Sequence, residues 1–162
     1  MPELSAGLVL YRWRGDLPEV LLVHPGGPYW AKKDDGAWTI PKGLYRADES
    51  PLDAARREFE EETGYKPPDQ AFELGRFRQP SGKVISAWAA QGDFDLADFR
   101  SNTFSMEWPP RSGRVVEFPE ADRAAWFQPE AALVKILKGQ VPIVRALLPR
   151  LYANTPGFRT SR

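Results

Sequence analysis

The residues best suited to chemistry stand together in Arg57-Glu58-Phe59-Glu60-Glu61-Glu62-Thr63-Gly64. Glu58, Glu61 and Glu62 are spaced i, i+3 and i+4, so on a helix their carboxylates share one face. Leu52, Ala55 and Phe59 fall on a different stripe, suited to a core. Like charges at i, i+4 repel one another. Such a face is either solvated or held together by cations. Carboxylate oxygens suit hard ions such as Mg²⁺, which prefers octahedral oxygen ligation. The acidic run alone does not choose between the two, because charge runs on helices are commonly solvated.

The helix that must carry this face is well marked. Ser50 can act as N-cap, and Pro51 then falls at the first helical position, where its missing N–H costs nothing. Asp53, three residues after Ser50, offers a weaker form of the capping box. Gly64 stands where a left-handed C-terminal cap is wanted, and Pro67-Pro68 stops the helix from resuming.

Around this helix the chain reads as alternating elements. Leu8–Tyr11 and Val20–Val23 are β-prone runs joined by a turn-rich link, and Ala37–Ile40 is a further short strand stopped by Pro41. Phe72–Phe77 and Val84–Ala89 are strands joined through Pro80-Ser81-Gly82, and Ala124–Phe127 is a last strand. The segment from about 92 to 122 reads as loop. Residues 129–138 and 142–152 carry Leu, Ile and Val at helical spacing. Strands interleaved with helices predict an α/β fold with a mixed sheet covered by helices.

A chain of 162 residues fits one domain and can bury a core without staples. Lys and Arg total 22, as do Asp and Glu, so no global charge favours a nucleic-acid polymer or an anionic membrane. Cysteine is absent, which removes disulfides, thiolate nucleophiles and Cys-built zinc sites. No signal peptide and no run of about 20 apolar residues is visible, and a cytoplasmic location is expected.

The flanks of the acidic run resolve its ambiguity. Residues 43–65 resemble the Nudix box, G-x5-E-x7-R-E-U-x-E-E-x-G-U, where U is a bulky apolar residue. Here it reads Gly43, Glu49, Arg57, Glu58, Phe59, Glu61, Glu62, Gly64 and Tyr65, matching all seven identity positions. At residue frequencies of several per cent, a chance match at one start is on the order of 1 in 10⁸. The U positions are aromatic here, where the family usually carries Ile, Leu or Val. The resemblance implies an α/β/α sandwich spanning 1–152 and leaves 153–162 as a flexible tail. It also implies Mg²⁺- or Mn²⁺-dependent hydrolysis of a phosphoanhydride in a nucleoside-diphosphate-linked substrate. Glu58, Glu61, Glu62 and the Gly43 carbonyl are the implied metal ligands, with Arg57 orienting a catalytic carboxylate and Glu49 as its partner. The general base varies in this family. Glu58 is the first candidate, with Glu117 and Glu120 as later-loop alternatives that would also reach the metal.

Residues that could set the substrate lie outside the acidic face. Pro41-Lys42-Gly43 resembles members acting on diadenosine or diphosphoinositol polyphosphates, which leans the substrate toward dinucleoside polyphosphates. Lys32, Lys33, Arg111 and Arg114 could line a phosphate-binding rim, or be solvated loop charge. Trp30, Phe104 and Trp108 could stack on a base or plug a loop. His24, the only histidine, is expected at a strand end with hydrogen bonds. The expected partner is a small phosphorylated molecule, a nucleotide by preference, with the protein a monomer or homodimer. The competing functions are housecleaning hydrolysis of nucleoside triphosphates and non-catalytic nucleotide sensing. Sensing modules usually lose box carboxylates or carry a further DNA-binding domain, for which this length leaves no room. A Nudix-like isoprenoid-diphosphate isomerase would need a cysteine that this sequence lacks.

Overall fold

The computed structural model describes residues 3–153. Strands β1 (Leu4–Arg14) and β2 (Leu17–Pro25) form the first hairpin, turning through Gly15 and Asp16. After β3 (Lys42–Leu44) and α1 (Pro51–Thr63) come β4 (Phe72–Arg78) and β5 (Val84–Gln91). A second hairpin, β6 (Thr103–Glu107) and β7 (Val115–Pro119), precedes β8 (Ala121–Phe127), α2 (Pro129–Lys135) and α3 (Val141–Ala153).

The main sheet runs β4-β5-β1-β2-β8, with β3 also paired to β1. β1 and β5 are parallel and the other pairs antiparallel, so the sheet is mixed as expected. β1 divides one edge between two partners. Ser5–Gly7 pair with β3, and Tyr11–Arg14 pair with β2. The split admits the segment leading into α1 to the sheet.

Alternation along β1 sends Leu8 and Leu10 to one face, with Ala54, Ala55 and Phe59 of α1. Val9 and Tyr11 go to the other, with Ile143, Val144, Leu147 and Leu151 of α3. Burial on both faces explains why β1 and β2 read as continuous apolar runs rather than alternating ones. The result is the α/β/α sandwich. Among the described residues no helix is long and apolar enough to cross a membrane.

Three local expectations are corrected, and a fourth holds in part. Ala37–Ile40 is not a strand. It makes only single bridges, Thr39 to Val23 and Trp38 to Ile136, and the strand falls at Lys42–Leu44 instead. The 92–122 segment contains the β6–β7 hairpin, hidden because its strands are short and flank Pro109-Pro110 and Gly113. The helix expected to reach 138 ends at Lys135, because Ile136 turns extended to bridge Trp38. Ser50 is the N-cap as expected, but its side chain makes no cap hydrogen bond. Its carbonyl accepts from Ala54 N at 2.9 Å, and Pro51 supplies the start. The last helix runs through Ala153, and residues 154–162 of the expected tail lie outside the described residues.

Candidate active site

The acidic face is built on α1. Phe59, fully buried against the sheet, fixes the rotation of the helix, while Gly64 closes it at φ 79° with its N–H on Glu60 O at 2.8 Å. That positive φ is accessible to Gly at little cost. Glu58 and Glu62 are then turned inward and buried, and Glu61 remains partly exposed at the rim.

Arg57 ties the face to the preceding loop. Its Nε donates to Glu49 Oε2 at 2.9 Å and its Nη2 to Glu49 Oε1 at 3.0 Å. Its Nη1 donates to Glu58 Oε1 at 2.8 Å and reaches both Glu61 oxygens at 3.4 Å. The hydrogen bonds from Arg57 hold the Glu49 carboxyl below its ordinary range. Gly43 lies so close that a Cβ there would run into the Glu58 carboxylate. Glu62 Oε2 accepts from Lys42 N at 3.1 Å.

Burial dominates the electrostatics. Desolvation raises the Glu58 carboxyl, against the pull of Arg57 and with the push of Glu61. Glu62 is pushed up to about 8 by desolvation and then by Glu58. Lys42 is lowered by desolvation, with Glu62 opposing. Glu120, at the foot of the β6–β7 hairpin, is raised by desolvation and by Glu61, and its charge is felt at Glu58 and Glu62.

The donors fit a hard divalent cation in kind: they are oxygens, two of the carboxylates are buried together, and Gly43 leaves its backbone open to Glu58. Buried like charges are unfavourable without such an ion. Their present arrangement is not a ligand cage. Among the described residues no three Asp, Glu, His or Cys side chains converge on one metal position. Arg57 Nη1 contacts both Glu58 and Glu61, and the Lys42 N–H engages Glu62.

The other candidates are dispersed. Glu117 accepts from the Thr103 hydroxyl within the β6–β7 hairpin. Arg111 and Arg114 sit at the tip of that hairpin, a five-residue strand away from Glu120, or roughly 17 Å. Lys33 lies over the Trp30 ring at 4.9 Å, and its carbonyl receives His24 Nε2 at 2.6 Å. Lys32 is exposed in the same turn. His24 is buried at the end of β2, with Nδ1 2.9 Å from Asp122 Oδ1, as expected of a structural strand-end residue. Trp108 packs edge-on against Tyr29, and Phe104 lies on β6 beside its cross-strand partner Phe118 of β7. Gln79 and Lys83 escaped the sequence reading. They lie in the β4–β5 turn and reach the neighbourhood of Lys42 only through long-range sheet pairing.

Comparison with known proteins agrees with this layout. Residues 1–150 match the NUDIX domain, and the chain belongs to the Nudix family. A stretch of 40 residues, 24% of this chain, is 55% identical to an RNA pyrophosphohydrolase of Thioalkalivibrio sulfidiphilus (strain HL-EbGR7) and spans 23% of that protein. The NUDIX domain of Shewanella oneidensis NrtR, solved with ADP ribose, superposes with a TM-score of 0.64 at 18% identity, over 93% of this chain and 89% of that one. A C. elegans Ap4A hydrolase binary complex superposes with a TM-score of 0.62 at 23% identity, over 91% and 97%. These two likenesses are likenesses of fold.

Proposed function

We propose that the chain hydrolyses a phosphoanhydride bond in a nucleoside-diphosphate-linked substrate, with Mg²⁺ or Mn²⁺ held by Glu58, Glu61, Glu62 and the Gly43 carbonyl. Residues 1–152 form the hydrolase domain in this reading. One observation carries it: Glu58 is buried on α1, pressed against Gly43 and hydrogen-bonded by an arginine that Glu49 holds in place. A solvated acidic face would need neither the burial nor the arginine.

When bound, the cation screens the phosphate charge and acidifies water at the site. The chain's residues do the rest. Glu58 takes the proton of the attacking water at its carboxylate. Arg57 aims that carboxylate through the 2.8 Å hydrogen bond. Glu120 is the alternative base, since it shares the field of Glu58 and Glu61, whereas Glu117 is engaged within its hairpin. Lys42 sets a cation beside the box and leans the substrate toward longer phosphate chains, dinucleoside polyphosphates first.

The test is a substrate panel of dinucleoside polyphosphates, nucleoside triphosphates, nucleotide sugars and coenzyme-type diphosphates, with Mg²⁺ and with Mn²⁺. Products are identified by mass in ¹⁸O-water. Label appearing in a phosphoryl product supports the reading and locates the broken bond. Strong nucleotide binding without turnover of any panel member would favour a sensing module instead.

A further inference from the structure

We propose that His24 works as a proton-held clamp: its ring donates from both nitrogens at neutral pH, and loss of one proton frees the turn at Lys33 from the strand that follows Glu120. This goes beyond the hydrolase reading, because neither its chemistry nor its test needs turnover.

His24 stands one residue from the end of β2, with no exposed surface. Its Nδ1 is 2.9 Å from Asp122 Oδ1, and its Nε2 is 2.6 Å from the Lys33 carbonyl oxygen. A backbone carbonyl only accepts, and so does an ionised carboxylate. A neutral imidazole has one N–H and one lone pair. Either neutral tautomer therefore sets a nitrogen lone pair against an oxygen, at 2.6 or 2.9 Å. Turning the ring over puts carbon at both contacts and satisfies neither oxygen. The doubly protonated ring donates to both. Asp122 Oδ1 also meets the Arg123 guanidinium, with Nε at 3.5 Å, which keeps that oxygen an acceptor and leaves the proton on the ring.

The groups around the ring come from three segments. From β8 come Asp122 and Arg123, whose guanidinium lies 5.3 Å over the Trp38 ring. From the loop after β2 comes the Lys33 carbonyl, while the Lys33 ammonium is turned to the Trp30 ring at 4.9 Å. From the segment before the box, Trp38 packs edge-on to the imidazole, with centroids 5.2 Å apart. Asp34 is occupied by Trp38 Nε1 at 2.8 Å and by Lys135 Nζ at 2.6 Å. Asp122 is thus the carboxylate that answers the imidazolium.

The clamp joins two parts of the chain. His24 pairs with Arg123 and Pro25 with Ala121, so Asp122 is the extra residue of a β-bulge, a device that re-aims a side chain. The bulge lies two residues past Glu120, whose carbonyl accepts from Gly26 N at 2.9 Å. The loop after β2 is therefore tied to this segment twice, at Gly26 and through His24 at Lys33. Lys33 N closes the turn on Trp30 O at 2.9 Å. The Gly26 tie is backbone to backbone and indifferent to pH. The His24 tie needs two hydrogens. When one leaves, the other stays on Nδ1, because a hydrogen bond to a charged acceptor is the stronger. The Nε2 lone pair then confronts the Lys33 carbonyl, and that contact opens.

His24 is the chain's only histidine, so long-range ¹H–¹⁵N NMR of the full chain reads its ring alone. At pH 7.5 a free imidazole is about nine-tenths neutral. The wild-type ring is expected to show two protonated nitrogens at that pH. As the pH is raised it is expected to keep hydrogen on Nδ1, and the Lys33 and Asp34 backbone signals are expected to shift with the same midpoint as the ring. Asp122→Asn lets a side-chain amide donate to Nδ1. Its ring is expected to be neutral at pH 7.5 with hydrogen on Nε2, and its Lys33 and Asp34 signals are expected not to follow pH. A single protonated nitrogen in the wild type at pH 7.5 would overturn the proposal. So would a turn that does not follow the ring, or an Asp122→Asn ring that stays doubly protonated. Inactivity on the whole hydrolase panel would count against the hydrolase reading and leave these outcomes as they are.

Discussion

Arg57 grips Glu49 side-on, with Nε and Nη2 on the two carboxylate oxygens at 2.9 and 3.0 Å, and spends its remaining Nη1 on Glu58. The guanidinium fork makes this possible, since a lysine ammonium is a point donor without the planar pair. Arg57→Lys should therefore lower kcat by roughly 10- to 100-fold, the range seen when a partner that orients a ligand is lost. Glu49→Gln should fall in the same direction by less, because the amide keeps one acceptor. Steady-state kinetics on the best panel substrate checks both. Unchanged kcat in Arg57→Lys would show that the fork orients nothing of consequence.

Glu62 links the site to stability. Its folded pKa of about 8 lies above its ordinary 4.5, because burial and Glu58 disfavour the charge. The protonated form is the one the fold prefers. Its contribution is complete below about pH 4.5 and is lost as the pH climbs through about 8. Glu62→Gln stays neutral throughout and can still accept from Lys42 N. In EDTA the variant should melt at least about 3 °C above wild type at pH 9 and level with it at pH 4.5. A constant gap across that range would mean that Glu62 ionisation is not what the fold resists.

Phe59 sets the rotation of α1 from beneath, fully buried with Ala54, Ala55 and Leu10. Phe59→Ala should cost about 3–5 kcal/mol, seen as a lower midpoint in urea. Phe59→Leu, closer to the aliphatic residue usual in the family, should cost far less. A small loss in Phe59→Ala would show that the helix is positioned mainly from elsewhere.

Lys42→Gly removes a half-buried cation whose charge is felt at Glu62 and should lower kcat/KM on dinucleoside polyphosphates more than on nucleotide sugars. Equal losses on both classes would withdraw the lean toward long phosphate chains.

How far the sequence could be read follows the range of the interactions. α1 was legible because its signals are local: Pro51 at the start, Gly64 at the end, and Phe59 on one stripe with the carboxylates on another. The Arg57–Glu49 pair was also within reach, eight residues apart in one pattern. The β6–β7 hairpin was not, because Pro109-Pro110 and Gly113 dominate a stretch whose strands are five residues each. Ala37–Ile40 was misread because a buried apolar run looks the same in a strand as in a bridged loop. The approach of Gln79 to Lys42 was invisible for a different reason. It brings together residues near 5, 42, 80 and 138, joined only once the sheet forms.

On the proposed assignment, Glu58, Glu61 and Glu62 hold a divalent cation once Arg57 and the Lys42 N–H no longer satisfy them alone. Electron paramagnetic resonance of Mn²⁺ tests it directly, since free ion is lost from the spectrum on binding. With a non-hydrolysable nucleotide present, wild type is expected to take up Mn²⁺, and Glu61→Gln with Glu62→Gln to abolish that uptake and cut turnover at least about 100-fold. Equal uptake by the double variant, or none by wild type, would contradict the assignment of this helix face as a metal site.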